Sequence, residues 1–353
     1  MVQEEIIRRK LPAVLPEGLT AQGFEGWRRE MVARYARECF GVTPPAPAEV
    51  RGEVIAERQD DWAGKATHRE VRLRFAMEKG EFSFPVHLVL PHGGQPCPCV
   101  VYISFTPYST AGYQPIEEIV DQGWALAVFN YEDVTSDDGD MGSGIAAMVS
   151  RTGSDSWGKI GMWAYAASRV LDYLQSVPEV DAGRVAVLGH SRLGKTALWA
   201  GAQDPRFAGV VSNDSGCSGA AVSRGKVGEH IDDICRVFPY WFCENYQKYR
   251  KNEDALPFEQ YHLLACAAPR PLYVASASED AWADPASEFL SCCLLEPVYG
   301  LFGLPALGVS DPQLPAPGGR IAGGQVGYHL RPGTHYLSRY DWVRALQFLK
   351  LRL

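Results

Sequence analysis

No run of apolar residues reaches the roughly 18 to 20 needed to cross a bilayer, and the opening "MVQEEIIRRKLPAVLPEGL" lacks the apolar core of a secretory signal. Taken as a full-length chain, this reads as a cytoplasmic protein with no membrane partner. Basic runs are missing too. Lys and Arg number 34 against 42 Asp and Glu, a net charge of −8, which argues against a nucleic-acid partner. The nine cysteines form no C-x-x-C pair and no other zinc spacing, and their odd number leaves at least one thiol unpaired within the chain. Their simplest reading is small buried hydrophobes. Internal repeats and low-complexity tracts are also absent, which removes solenoids and disordered tails.

What remains is a chain of 353 residues, 46% hydrophobic and 22% charged, an ordinary globular composition. We expect one domain over 1–353, with residues 1–68 as a helical and extended extension packed on it. Within that extension, Trp27, Met31, Tyr35 and Phe40 recur near the i, i+4 spacing of an amphipathic helix. Residues 69 to 90 read as two strands around a "KGE" turn, an antiparallel opening hairpin. From residue 97 the pattern changes to short continuous apolar runs, "CPCVVYISF", "GWALAVFNYEDV", "GRVAVLG", "FAGVVSND" and "RPLYVASAS", of the kind buried in parallel sheets. Helical segments separate several of them, most clearly "GKIGMWAYAASRVLDYLQSVP". This alternation predicts a three-layer α/β fold with right-handed crossovers. The Pro- and Gly-rich "GLPALGVSDPQLPAPGGRIAGG" reads as a surface loop, and Ser338 and Asp341 mark the start of a final helix.

The chemistry concentrates in "RVAVLGHSRLGKTALWAGA". From Gly189 it satisfies the phosphate-binding pattern G-x-x-x-x-G-K-[ST]; around Ser191 it is a serine on a sharp strand-to-helix turn, the nucleophile elbow of a hydrolase. A phosphate loop favours small residues between its glycines, whereas His190, Ser191, Arg192 and Leu193 are bulky, although Asp214 at the end of another strand has the right place for a magnesium ligand. The elbow reading needs small residues beside the turn. Gly189 and Gly194 supply them, one position off the usual second glycine, where this chain has Leu193.

An elbow serine requires an acid and a histidine downstream. Of the late histidines, His262 and His329 fall in or beside apparent strands, and His335 in "RPGTHYLSRYDW" follows the last strand, where a hydrolase base stands. Two acids compete: Asp280 after "RPLYVASAS" and Asp214 after "FAGVVSN". Either could orient the imidazole, and sequence order does not choose between them.

The segments "GHSRLGKTALWAGAQDPRFAGVVSNDSGCSGAA", "APRPLYVASASEDAWADPASEFL" and "GYHLRPGTH" together resemble the glucuronoyl esterases, carbohydrate esterase family fifteen, in their bacterial branch; the likeness runs from about residue 24 to the C-terminus. The resemblance implies an α/β-hydrolase fold with a mostly parallel central sheet flanked by helices. It implies a serine esterase, without metal or other cofactor, that cleaves esters of 4-O-methyl-glucuronic acid such as those joining glucuronoxylan to lignin alcohols. On that pattern Ser191 is the nucleophile, His335 the base, and Asp280 or Asp214 the acid. Relatives often carry Glu at the position of Asp214; the shorter Asp there makes Asp280 our choice. Arg192 should stabilise the oxyanion, because no "HGGG" loop follows "CPCVVYISF". Lys195, Glu229 and Trp282 match positions that hold the sugar. Family members are commonly exported, so the resemblance also points to a secreted or periplasmic enzyme. A general carboxylesterase or acetyl xylan esterase is the same-class alternative, and a nucleotide hydrolase built on the phosphate loop the different-class one.

Overall fold

The computed structural model describes residues 2–109 and 114–353. Ten strands form one sheet: β1 (Val50–Asp60), β2 (Ala66–Met77), β3 (Gly80–Pro91), β4 (Cys97–Ser104), β5 (Ala125–Asn130), β6 (Val180–His190), β7 (Gly209–Asn213), β8 (Leu272–Ala277), β9 (Arg320–Ile321) and β10 (Val326–Arg331). Their spatial order is β1-β2-β3-β5-β4-β6-β7-β8-β10-β9. The β2–β3 pair is antiparallel, with Met77 opposite Gly80, so the expected opening hairpin turns on Glu78 and Lys79. From β5 through β10 the neighbours run parallel, and β9 closes the far edge antiparallel.

The parallel strands are apolar without interruption because both of their faces are covered. Alternate residues of β4 show this: Cys99, Val101 and Ile103 join one core with Trp163 and Trp199, while Val100 joins a second core with Ile119, Trp342 and Phe348. Helices Lys159–Leu174 and Arg192–Gln203 therefore cover one face, and helices Ile116–Asp121 and Arg339–Lys350 the other. This three-layer arrangement is that of an α/β-hydrolase. Among the described residues no helix is long and apolar enough to cross a membrane. All nine cysteines are free thiols, and eight of them are buried.

In the N-terminal segment, helix Ala21–Tyr35 buries Phe24, Trp27, Met31 and Tyr35. Phe40 lies five residues beyond Tyr35 and still reaches the core, because Ala36–Phe40 opens into a wider π-type turn that shifts the face by the extra residue. Strand β1 was not apparent in the sequence. It is an edge strand, exposed almost throughout and rich in charge, and it carries a bulge between Val54 and Ala56, a device that discourages pairing with other chains.

Candidate active site

The turn after β6 positions everything else. Strand β6 ends at His190, helix Arg192–Gln203 begins at once, and Ser191 between them takes φ 58°, ψ −126°. A non-glycine residue held there stores on the order of 1–3 kcal/mol of backbone strain. The strain is held by neighbours: the Ser191 amide donates to Asn213 O at 2.8 Å, and the Lys195 amide donates to Ser191 O at 3.1 Å. A Cβ on Gly189 would stand 2.0 Å from Leu193 O, so only glycine lets the helix start this close to the strand. The displaced second glycine is explained as well. Gly194 faces β7, where a Cβ would sit 3.0 Å from Asn213 O, while Leu193 points into the core and is fully buried. The phosphate-loop reading fails on the same geometry: Gly189 lies in the strand and Lys195 in the helix, which leaves no loop to wrap a phosphate.

His335 lies in the turn after β10 and Asp280 in the turn after β8. Backbone bonds join these turns, Ser278 N to Arg331 O at 2.8 Å and Glu279 N to Gly333 O at 2.9 Å. His335 Nδ1 stands 2.6 Å from Asp280 Oδ2, and Asp280 Oδ1 accepts from the Ala283 amide at 3.2 Å. Asp280 being acceptor-only when ionised, Nδ1 supplies the proton of this bond, which in the neutral imidazole leaves Nε2 as the acceptor. Burial alone would raise the Asp280 carboxyl, but the His335 bond and its charge outweigh that and hold it below the usual carboxylate value.

The surroundings of Asp214 act the other way. It follows β7 with φ 44°; its Oδ1 accepts from the Ala277 amide at 2.7 Å, and its Oδ2 has no hydrogen-bond partner among the described residues. Burial first, and then Glu288, Asp280 and Asp341, push its carboxyl well above the usual range. The two carboxyls are thus pushed in opposite directions by their surroundings. Ligand atoms of Asp214, Asp280 and His335 lie within 4.8 Å of one another, close enough to surround a cation. His335 Nδ1 is already engaged by Asp280 Oδ2, a pairing that suits orientation of the imidazole. His190, packed 4.5 Å from the His335 ring, is buried and pushed down to about 3, first by burial and then by His335, so it stays neutral.

Ser191, Arg192, Lys195, Asp214, Glu229, Asp280, Trp282 and His335, the eight residues singled out from sequence, all line one cleft of about 330 Å³. Lys195 is buried one helical turn from Ser191 and donates to Ser215 O at 2.6 Å. Burial lowers its ammonium and the nearby Glu229 carboxylate works against that. The Glu229 amide donates to Trp282 O at 2.9 Å, which ties these two walls of the cleft together. Trp282 is 57% exposed, an aromatic plate at the rim.

Sequence reasoning missed Asp137. The Arg192 guanidinium pairs with Asp137 Oδ2 and lies 4.6 Å from the Trp241 ring centre, against Phe105 and Phe238 as well. Asp137 also accepts from Trp241 Nε1 at 2.6 Å and Tyr131 OH at 3.1 Å, so it holds both the arginine and the wall beside it. Its loop is tied down from beneath by the buried Lys159, which donates to Thr135 Oγ1 at 2.7 Å. Within "TSDDGD" nothing separates Asp137 from Asp138 and Asp140, which only cap local turns.

Residues 74–303 match the family described as "Glucuronyl esterase, fungi". The chain is similar to the protein named carbohydrate esterase MZ0003, from an unknown prokaryotic organism, at 41% identity over 67% of this chain and 56% of that one. The match thus spans little more than half that relative's length. Among solved structures, a glucuronoyl esterase from Solibacter usitatus superposes with TM-score 0.88 at 34% identity, covering 97% of both chains. A second, titled a promiscuous CE15 esterase from the marine bacterial metagenome, superposes with TM-score 0.89 at 30% identity, again over 97% of both.

Proposed function

The chain belongs to the glucuronoyl esterase family, and on that premise we propose that it is a serine esterase that hydrolyses esters of 4-O-methyl-glucuronic acid, such as those of glucuronoxylan with lignin alcohols. One observation carries the reading: a strained elbow serine shares its cleft with a histidine whose Nδ1 is held at 2.6 Å by a carboxylate.

In this mechanism Ser191 Oγ attacks the ester carbonyl carbon while its proton passes to His335 Nε2. Anionic Asp280 keeps the imidazole in that tautomer and stabilises the imidazolium. The new oxyanion lies at the start of helix Arg192–Gln203, where the first amides have no intrahelical acceptor. The Arg192 amide and guanidinium stabilise it, each such donor typically contributing about 3–4 kcal/mol. The alcohol departs with the proton from His335. Water, activated by the same imidazole, then releases the uronic acid and restores Ser191. Lys195 and Glu229 bond the sugar hydroxyls and Trp282 covers the ring. Because the substrate is a cell-wall polymer, we place the working enzyme in the periplasm or outside the cell; cell fractionation of the native host checks this.

The alternative, a general or acetyl xylan esterase, differs in what the sugar contributes. If Lys195 and Glu229 hold the uronate, an acetyl ester forgoes the bonds they would make to its hydroxyls. We expect kcat/KM for benzyl glucuronate to exceed that for p-nitrophenyl acetate by at least about 10³-fold. Equal values would assign a general esterase instead.

A further inference from the structure

A second cleft lies away from the reaction. It has a volume of about 570 Å³ and is lined by Tyr273, Arg320, Arg344, Gln347, Lys350 and Arg352, together with the apolar Ala322, Phe348 and Leu351. Tyr273 is the second residue of β8, whereas Asp280 follows the end of that strand, so the two clefts open at opposite ends of the sheet. Four cations and no carboxylate line it, in a chain whose net charge is −8.

Many of the protein's basic side chains have a counter-ion, though not all: Arg34, Arg151 and Arg270, for example, donate to backbone carbonyls. Arg69, Arg74, Arg184, Arg206 and Arg250 each pair with an Asp or Glu. Arg320, Arg344, Lys350 and Arg352 make no ion pair among the described residues. Arg320 and Arg344 instead converge on one neutral oxygen, Gln347 Oε1, at 3.4 and 3.3 Å. Arg352 donates to the carbonyls of Gly324, Phe348 and Ala322 and lies 3.9 Å over the Phe348 ring, which fixes its position without a carboxylate partner. Asp341, an acid near the floor, is committed elsewhere, to His329 at 2.8 Å, to Arg331 and to Ser338. The floor itself is rigid: Tyr273 OH bonds His329 Nδ1 at 2.8 Å, and the Tyr273 and Phe348 rings pack at 4.9 Å. Helix-dipole compensation explains a cation in the last turn, such as Lys350, but it does not explain Arg320, which comes from β9.

The geometry points to a binding site for a carboxylate-bearing sugar, a free uronate on the same kind of acidic polysaccharide whose ester is cut in the first cleft. This rests on the proposed substrate. Paired guanidinium forks match a carboxylate bidentately, and the volume lies within the roughly 300–1,000 Å³ of small-molecule sites, far larger than a lone inorganic anion fills. Such a site holds the polymer while successive esters are processed.

The test titrates the full-length protein with de-esterified glucuronoxylo-oligosaccharide, observed by isothermal calorimetry and by backbone amide NMR shifts, in the wild type, in Arg320→Gln/Arg344→Gln and in Lys350→Gln. We expect shifts at Tyr273, Gln347 and Phe348, affinity at that site at least tenfold weaker in the double variant and weakened to a smaller degree in Lys350→Gln, no response to neutral xylo-oligosaccharide, and unchanged kcat/KM for benzyl glucuronate. Unaltered oligosaccharide binding in folded variants would overturn the proposal. So would shifts produced by inorganic phosphate and not by the oligosaccharide, which would make this a phosphate site. Loss of benzyl glucuronate turnover in the wild type itself would instead count against the catalytic reading, independently of the titration.

Discussion

Asp280 and Asp214 have the same side chain and adjoin neighbouring strands, yet their surroundings push them in opposite directions. Asp280 accepts from His335 and is held below the usual carboxylate value, while burial and neighbouring acids push the Asp214 carboxyl well above it. Asp280→Asn should therefore lower kcat by about 10⁴-fold with little change in KM, because an amide cannot fix the imidazole tautomer. Asp214→Asn should cost far less, since His335 Nδ1 is bonded by Asp280 while Asp214 Oδ1 accepts from the Ala277 amide. Steady-state kinetics on benzyl glucuronate decides it; equal losses would mean a shared role. Both acids could be read from sequence because each follows an apolar strand. The choice between them depends on which carboxylate reaches Nδ1, and that is set by the backbone bonds joining the turns after β8 and β10, which leave no trace in residue type. Asp137 was hidden for a similar reason: its partner Arg192 lies far along the chain, and its neighbours are also aspartates.

The elbow shows how far an element can be read and where reading stops. Strand, serine and helix were legible from "RVAVLGHSRLGKTALWAGA" because an apolar run and a helical period meet at one residue. The displaced glycine was not interpretable until the contacts were known: position 189 abuts the helix backbone and position 194 the end of β7. This ranks two substitutions. Gly189→Ala puts a Cβ 2.0 Å from backbone, which must move, whereas Gly194→Ala meets its nearest atoms at 3.0 Å. We expect Gly189→Ala to lower Tm the more, by an overpacking penalty of about 1–3 kcal/mol or above. Thermal unfolding of the two variants checks the order, and a larger drop for Gly194→Ala would contradict the packing described. Strand β1 eluded the sequence for the converse reason, since an exposed edge strand buries no face and so shows no alternation.

At the scale of the whole molecule, the sheet gathers acids beneath its catalytic end. Glu288 is fully buried, accepts from Ser276 Oγ at 2.6 Å and the Gly216 amide at 2.9 Å, and is raised by burial to about 7 despite those bonds. Its folded value lies above its unfolded one near 4.5, so the protonated form stabilises the fold below that value, and the contribution is lost as pH rises through about 7. Glu288→Gln should flatten the fall in stability between these limits, a difference of about 3 kcal/mol at most. Urea midpoints across that pH range measure it; an unchanged slope would show that Glu288 does not carry the dependence. These acids lie under a cleft whose central claim is that Ser191 performs the covalent step. The most direct measurement is kcat for benzyl glucuronate in Ser191→Ala, with Tm recorded beside it. The account predicts a loss on the order of 10⁶-fold with Tm preserved; a folded Ser191→Ala that turns over at near wild-type rates would contradict it.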